Sequence, residues 1–395
     1  LAMPSRPTHA QAFMPYPEVA VPYAAHGPLS GLSFGVKDLF DVAGYPTSGG
    51  QPFLLALSGI KQRHAKVVQQ LLDNGAKFAG KTITDELAFS MNGQNAHFGS
   101  PINGAAPDRI TGGSSSGSAA AVSHGLCDFA LGTDTGGSVR APANHCGLIG
   151  LRPTHGRISL EGALDLAPSL DTCGWFTRDM PTFERIADVL LEQDASPLPS
   201  TVRLLTMDEL WGLVSDDVAK ALAPAALSVQ AQVGTPHNVK DFLGDLDAMY
   251  WNFRFIQGRE AWVTDGPMID KYNPPLGPGV KERFSWSKAV TDAQFEQAMA
   301  FRKSLRQRVA DLLGSDGVLM LPTMPDCAPL IAQDEASLED YRNRAIRLLC
   351  LAGLGGFPQI SLPMAHRQGA PLGLSLISPA GSDRSLVRLA ARVMA

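Results

Sequence analysis

The residues best suited to covalent chemistry lie in the loop Thr135-Gly136-Gly137-Ser138. The two glycines carry no side chain that would block the backbone, so successive N–H groups can point into one concavity. Such a cup binds an anion, including the oxyanion that forms when a carbonyl is attacked. Ser138, at the end of the loop, is then placed to be the nucleophile. Loops rich in Gly and Ser are also common connectors, and composition alone leaves both interpretations open.

A second loop rich in glycine and serine, residues 112–118, precedes the first. The small residues Ala119–Val122 favour a helix, so the serines lie at a helix start. The apolar run Leu126–Leu131 predicts a buried strand that ends at Gly132 and leads into the loop Thr133–Ser138. We therefore expect one helix and one strand to bring two polar loops together.

Two motifs match known site patterns but lack the surroundings that those sites need. The stretch Gly113–Gly117 fits G-x-S-x-G, which requires a buried strand before it, whereas residues 101–109 are polar and interrupted by proline. The stretch Gly75–Thr82 fits the phosphate-binding P-loop, which lies between a strand and a helix. Here a helix over Ala65–Asn74 comes first, and a strand over Ala76–Ala79 follows. We expect neither a nucleophile elbow nor a nucleotide site.

Lys37 is the candidate base for an activated serine. It ends the predicted strand Leu32–Lys37 and lies between Val36 and the apolar pair Leu39-Phe40. A lysine at a strand end usually faces solvent. A lysine buried among apolar neighbours instead has a lowered pKa, and its neutral amine can accept a proton. The residues alone leave both interpretations open.

The rest of the chain contains both helix and strand patterns. Helices are predicted over 84–91, 181–193, 294–313 and 384–393, and strands over 318–321, 360–362 and 371–377. Residues 3–30 predict an extended lead-in, and residues 201–300 are less patterned. An aromatic cluster in this last region either packs in the core or forms a wall for a flat apolar substrate; its members are Tyr250, Trp251, Phe253, Phe255 and Trp262.

Composition excludes several classes of function. The 395 residues are 45% hydrophobic and 18% charged, with a formal net charge of −5 and no basic patch, so we expect no nucleic-acid partner. No apolar run reaches the ~20 residues of a membrane span, and no signal-peptide pattern opens the chain. Five cysteines without a C-x-x-C pair favour the reducing cytoplasm. The nine histidines show no metal-ligand spacing, so we expect neither a metal nor a cofactor.

The two loops together resemble the amidase signature family. The likeness begins in residues 112–118 and 132–143 and covers most of the chain except about 200–300; its further segments are 35–38, 80–82, 171–174, 321–323, 356–363 and 371–374. The resemblance implies an α/β fold with one large mixed β-sheet surrounded by helices. It also implies a single domain over residues 3–395, in which residues 200–300 form a variable, substrate-shaping region.

The resemblance also assigns roles at the site. It implies a Ser-cisSer-Lys triad in which Ser138 is the nucleophile, Ser114 is a bridging serine after a cis peptide bond, and Lys37 is the base. The backbone N–H groups of Thr135 to Ser138 would form the oxyanion hole. Asp134 and Arg140 are expected to pair and brace the loop rather than act chemically.

Within this family the sequence is most similar to plant-type amidases that hydrolyse indole-3-acetamide and related arylacetamides, in residues 92–99, 106–109 and 174–176. The expected function is cleavage of the C–N bond of small aryl or apolar primary amides to carboxylate and ammonia, through an acyl-enzyme on Ser138. Alternatives are the glutaminase subunit of a tRNA-dependent amidotransferase, or an amidase for anilides, carbamates or urea derivatives. A non-catalytic docking protein is disfavoured because all three triad residues are present. A small amide is the expected partner, with no membrane, and the sequence is compatible with a monomer or a homodimer.

Overall fold

A computed structural model describes residues 10–395. Within these residues ten strands form one mixed sheet in the order β2-β1-β3-β5-β4-β9-β10-β8-β6-β7. The strands are β1 Ser33–Lys37, β2 Lys77–Thr82, β3 Phe129–Asp134, β4 Ile149–Arg152, β5 Thr172–Thr177, β6 Arg203–Met207, β7 His237–Val239, β8 Gly317–Pro322, β9 Gln359–Arg367 and β10 Ala370–Ile377. The predicted α/β architecture is confirmed. The first residues of the predicted lead-in, 3–9, lie outside the described part of the chain.

Twelve α-helices surround this sheet in the described residues. They are α1 Pro52–Ser58, α2 Lys66–Asp73, α3 Ser116–Ser123, α4 Arg140–Cys146, α5 Met180–Leu190, α6 Asp208–Trp211, α7 Asp216–Val233, α8 Leu246–Tyr272, α9 Val280–Lys288, α10 Asp292–Leu313, α11 Glu335–Gly355 and α12 Asp383–Met394. In residues 10–395, none of them is both long and apolar enough to cross a membrane.

The sheet separates the two largest hydrophobic clusters of the described residues. Successive strand residues point to opposite faces, and in β8 Val318 and Met320 enter one core whereas Leu319 and Leu321 enter the other. Helices α2, α5, α7 and α12 cover the first face. Helices α8, α10 and α11 cover the second. Because both faces are covered, the central strands are apolar on both sides.

Strands β1 and β3 are parallel neighbours, and this pairing positions the candidate base. Val36 is opposite Leu131, so the carboxyl ends of the two strands meet at one edge of the sheet. Strand β3 also pairs with the antiparallel β5 along its whole length. The strand predicted over 126–131 is therefore displaced toward the C-terminus, and Gly132 to Asp134 belong to the sheet rather than to the loop.

The helix predicted over Thr84–Met91 is wrong. Only a short 3₁₀ turn forms at Glu86–Ala88, and Leu87 and Ala88 have left-handed φ angles of 51° and 56°. Tertiary bonds replace the helical ones: the Leu87 N–H donates to Gly49 O over 2.7 Å, and the Asp85 carboxylate accepts from the Gly93 N–H over 2.9 Å. Such bonds outweigh the weak preference that a local sequence has for helix.

Residues 201–300 contain more regular structure than their pattern indicated. Strands β6 and β7 extend the sheet beyond β8. Helices α7, α8 and α9 also lie within residues 201–300. The P-loop-like motif is confirmed as a decoy, because α2 precedes it and β2 lies within it. No strand directly precedes Gly113 in the described chain, so the elbow motif is also a decoy.

Candidate active site

Lys37 is fully buried at the carboxyl end of β1. Its Nζ lies 2.7 Å from Ser114 Oγ and 2.7 Å from Thr133 Oγ1, both within hydrogen-bond distance. Burial lowers the pKa of Lys37 from 10.5 to about 7, although the nearby carboxylates of Asp85 and Asp171 oppose that shift. A large fraction of this lysine is therefore neutral near pH 7, as a general base requires.

Ser114 is held in place by its backbone. The peptide bond between Gly113 and Ser114 is cis, as the resemblance implies. The Gly113 N–H donates to Met91 O over 2.8 Å, and the Asp85 N–H donates to Ser114 O over 3.0 Å. A Cβ on Gly113 would lie 2.2 Å from an Asp85 carboxylate oxygen, so only glycine fits there. The serine loop is thus fixed against the segment that follows β2.

Asp134, the residue before the loop from Thr135 to Ser138, holds this loop in place through its carboxylate. The Asp134 carboxylate accepts from Arg140 Nη2 at 2.8 Å and from Arg152 Nη1 at 3.0 Å, and all three side chains are fully buried. Burial opposes ionisation of Asp134, but the two guanidinium groups and backbone donors outweigh it and hold its pKa well below the usual range. The predicted pairing of Asp134 with Arg140 is confirmed, and Arg152 is a second partner that the sequence did not reveal.

The residues of this loop differ in whether another residue already accepts a hydrogen bond from them. The Gly137 N–H donates to Asp134 Oδ1 over 3.1 Å, so it is directed at the brace. Thr135 is fixed by its side chain, which donates to Asp171 Oδ1 over 2.6 Å. Neither Gly136 nor Ser138 has a hydrogen bond with another residue in the part of the chain that the structure describes. These two residues therefore have backbone donors available to a ligand.

Ser138 lies at a narrow cleft of about 10 Å³. The residues that line the cleft come from the segment after β2, from the loop itself and from α8 and α11: Ala88, Phe89, Ser90, Met91, Gly136, Ser138, Phe253, Gln257, Arg342 and Ile346. Ser138 is almost fully buried, with 6% exposure. The structure brings Lys37 and Ser114 together, whereas Ser138 is not hydrogen-bonded to either of them. In enzymes without bound substrate, such catalytic bonds are often long and tighten on binding.

Comparison with known proteins shows the family to which the chain belongs. The family model described as Amidase matches residues 10–210 and 268–387. The chain belongs to the amidase family. Amidase 1 from Arabidopsis thaliana is 37% identical over 390 residues, which span 91% of this chain and 92% of that protein. The outer envelope protein 64, chloroplastic, from the same plant is 33% identical and covers 95% of this chain and 68% of its own length.

A crystal structure of an amidase has the same fold, with a TM-score of 0.83 at 32% identity over 93% of this chain and 85% of that one. The resemblance to the amidase family is thereby confirmed, and the chain is an amide hydrolase of that family. Residues 211–267 lie outside the two segments that the family model matches. This stretch contains most of α8, which contributes Phe253 and Gln257 to the cleft.

The aromatic cluster predicted over Tyr250 to Trp262 has two interpretations, core packing or a wall for a substrate, and its members differ in which of these they do. Phe253 is fully buried and lines the cleft, so it forms part of a wall. Tyr250 packs in the core, whereas Trp251 is 44% exposed. Only one of the five predicted aromatic residues therefore faces the cleft.

Three residues near the site of this amidase were missed by the sequence interpretation. Thr133, which contacts Lys37, could have been found from the parallel pairing of β1 with β3. Asp85 is fully buried beside the serine loop, but the sequence interpretation placed it at the start of a helix over 84–91 and gave it no role at the site. Arg342 lies in α11, far along the chain, and no local pattern marks it. Residues 10–395 contain no group of three or more His, Cys, Asp or Glu that could hold a metal ion.

Proposed function

We propose that this amidase hydrolyses small primary amides to carboxylate and ammonia through an acyl-enzyme on Ser138. The observation that carries the proposal is the buried pair of Lys37 and Ser114, 2.7 Å apart, beside a cleft that contains a second serine with free backbone donors. Water is the second substrate. The overall reaction consumes one amide and one water and forms one carboxylic acid and one ammonia.

The proton route begins at Ser138. A serine hydroxyl is a weak nucleophile until a base removes its proton. In the proposed mechanism Ser138 Oγ turns toward Ser114, which accepts its proton and passes its own proton to the neutral amine of Lys37. Thr133 Oγ1, 2.7 Å from Lys37 Nζ, accepts a hydrogen bond from the amine and fixes its direction. Lys37 is then an ammonium ion for the lifetime of the tetrahedral intermediate.

Attack of Ser138 on the amide carbon forms a C–O bond and turns the carbonyl oxygen into an oxyanion. The N–H groups of Gly136 and Ser138 are the candidate donors to this oxygen, because neither is bonded within the described chain. The predicted oxyanion hole also includes Thr135, whose N–H has no acceptor among the described residues, and Gly137, whose N–H is directed at Asp134. Donors held rigidly in a dry site stabilise a developing charge at little reorganisation cost.

Collapse of the intermediate breaks the C–N bond. The proton held by Lys37 returns through Ser114 to the leaving nitrogen, which departs as ammonia. A water molecule then attacks the acyl carbon and gives its proton to the same relay. Release of the acid restores Ser138 and neutral Lys37. One relay therefore acts as a base in both attacks and as an acid in both departures.

The cleft walls support an aryl or apolar acyl group near the reacting carbon. Phe89, Met91, Phe253 and Ile346 supply apolar surface, and Gln257, Ser90 and Arg342 are polar. Apolar walls with a few polar groups are typical of sites for small molecules. Arylacetamides such as indole-3-acetamide fit this description, and Amidase 1 proteins are among the relatives.

The test is a panel of primary amides, anilides, carbamates, urea derivatives and glutamine, assayed for released ammonia or amine with the purified chain. We expect turnover of arylacetamides and apolar primary amides, and none with Ser138→Ala. Ser123→Ala, at the far end of α3, is the matched control for removal of a serine hydroxyl.

Each outcome of the panel has a meaning. A mass increase of one acyl group on the peptide that contains Ser138, trapped by acid quench, supports the acyl-enzyme. Glutamine as the preferred substrate would instead indicate a glutaminase. Turnover that persists in Ser138→Ala would overturn the proposed function.

A further inference from the structure

The cleft beside Ser138 contains a buried cation that the proposed reaction does not use. Arg342 lines the cleft and is only 3% exposed. Its Nε has no hydrogen-bond partner among residues 10–395. A buried guanidinium normally has all of its N–H groups satisfied, because an unpaired buried donor is costly. Arg342 therefore retains binding capacity at the site where an acyl group would lie.

The charge around Arg342 is not balanced. Glu339 is its ion-pair partner at 3.3 Å, and the same carboxylate lies 3.6 Å from Arg283. Arg283 is also buried, and its Nε donates to Phe89 O in the cleft wall over 2.6 Å. Two buried cations thus share a single carboxylate, which is itself 41% exposed. Arg254 adds positive charge nearby, stacked over Trp286 at 4.6 Å.

This excess positive charge disfavours the charged form of Arg342. Burial, followed by repulsion from Arg283, lowers the pKa of Arg342 to about 9. An anion bound in the cleft would relieve both effects at once. The guanidinium already donates from Nη1 to the Glu339 carboxylate over 3.3 Å, and its Nε is left without a partner in the described residues.

We propose that Arg342 is a specificity-determining residue, which binds a carboxylate at the end of the acyl chain remote from the amide. The substrate class is then a monoamide of a small dicarboxylic acid, or an aryl amide that carries a carboxylate. A guanidinium matches a carboxylate with two parallel N–H···O bonds, and this geometry fixes the orientation of the acyl group. The inference rests on the proposed function and adds a charged end to its otherwise apolar substrate.

The test uses pairs of amides that differ only in charge. Succinamate, glutaramate and adipamate are each compared with the neutral diamide of the same length, in which a second amide replaces the carboxylate. For the length that reaches Arg342, we expect kcat/KM to favour the acid by about tenfold or more over the diamide. A charge-assisted hydrogen bond in a buried site supports a preference of about 10- to 100-fold.

Variants assign the preference to Arg342. Arg342→Met should reduce the acid-to-diamide ratio of kcat/KM by about 10- to 100-fold, mainly through KM, and Arg342→Lys should restore part of it. Arg344→Met is the matched control, since Arg344 lies on the same helix, is exposed and pairs with Asp340. That variant should keep the wild-type ratio. An unchanged ratio in Arg342→Met would overturn the inference.

A measurement on the wild-type chain covers the case in which Arg342→Met does not fold. Adipate should inhibit competitively with a Ki at least about tenfold below that of hexanoate, and this difference should shrink as salt rises. Equal inhibition by the two acids would overturn the inference while leaving the proposed function intact. If no amide of any kind were hydrolysed, the proposed function would fail and this inference with it.

Discussion

Lys37 Nζ and Ser114 Oγ lie 2.7 Å apart, with both side chains fully removed from solvent. The strand β1 delivers the lysine and the cis-linked loop delivers the serine, so two segments distant in sequence create one contact. Burial lowers the pKa of the amine to about 7, so its neutral form is available near neutral pH, and the proposed relay passes through this contact. The following predictions depend on this relationship and on the brace beneath the neighbouring loop.

The first prediction concerns the pH dependence of turnover. Because Lys37 must be neutral to accept a proton and its pKa is about 7, kcat/KM should level off above about pH 7. Below that value it should fall about tenfold per pH unit. The measurement is kcat/KM for a neutral amide from pH 5 to 9 in buffers of constant ionic strength. A rate that is flat across this range would contradict a base with this pKa.

The second prediction concerns the pH dependence of stability. The pKa of Lys37 is about 7 in the folded chain and about 10.4 when unfolded, so between these values the unfolded state binds more protons. The free energy of unfolding of the wild type should therefore rise by about 1.4 kcal/mol per pH unit relative to Lys37→Met. Urea unfolding of both proteins at several pH values from 7 to 10 measures the difference. If the free energies of unfolding of the two proteins changed with pH in parallel, the pKa of Lys37 would not be lowered in the folded chain.

The sequence indicated Lys37 and Ser114, which the structure brings together, better than it indicated their surroundings. Lys37 lies at the end of a short alternating strand, and the glycine-rich loops are local signals, so both could be recognised from neighbouring residues. Asp85 was assigned to a helix because propensity ignores the tertiary bonds to Gly49 and Gly93 that bend this segment. Arg342 lies in α11, which packs against α8 and α10, and no local pattern contains these contacts.

The third prediction concerns the brace under the loop. Asp134→Asn removes the negative charge between Arg140 and Arg152 and leaves two buried cations uncompensated. We expect a loss of about 3–5 kcal/mol in the free energy of unfolding, accompanied by a fall in kcat as the loop loosens. The matched control is Asp316→Asn, whose partner Arg203 is exposed, and there the loss should be about 1 kcal/mol or less. Equal losses at the two sites would show that Asp134 does not brace the loop.

The last prediction separates the two serines. Ser138→Ala removes the atom that forms the acyl-enzyme, so turnover should fall to background. Ser114→Ala removes only the carrier between Ser138 and Lys37, and a water molecule in the vacated space can carry the proton less well. Loss of an acid–base participant typically lowers kcat about 10²–10⁴-fold, so Ser114→Ala should retain slow turnover and still form acyl-enzyme. The pH at which kcat/KM of this variant falls on the acidic side should also change, because Lys37 loses a hydrogen-bond partner at 2.7 Å. Rapid-quench measurement of the acylation rate compares the two variants, and a wild-type rate in Ser114→Ala would remove the relay from the mechanism.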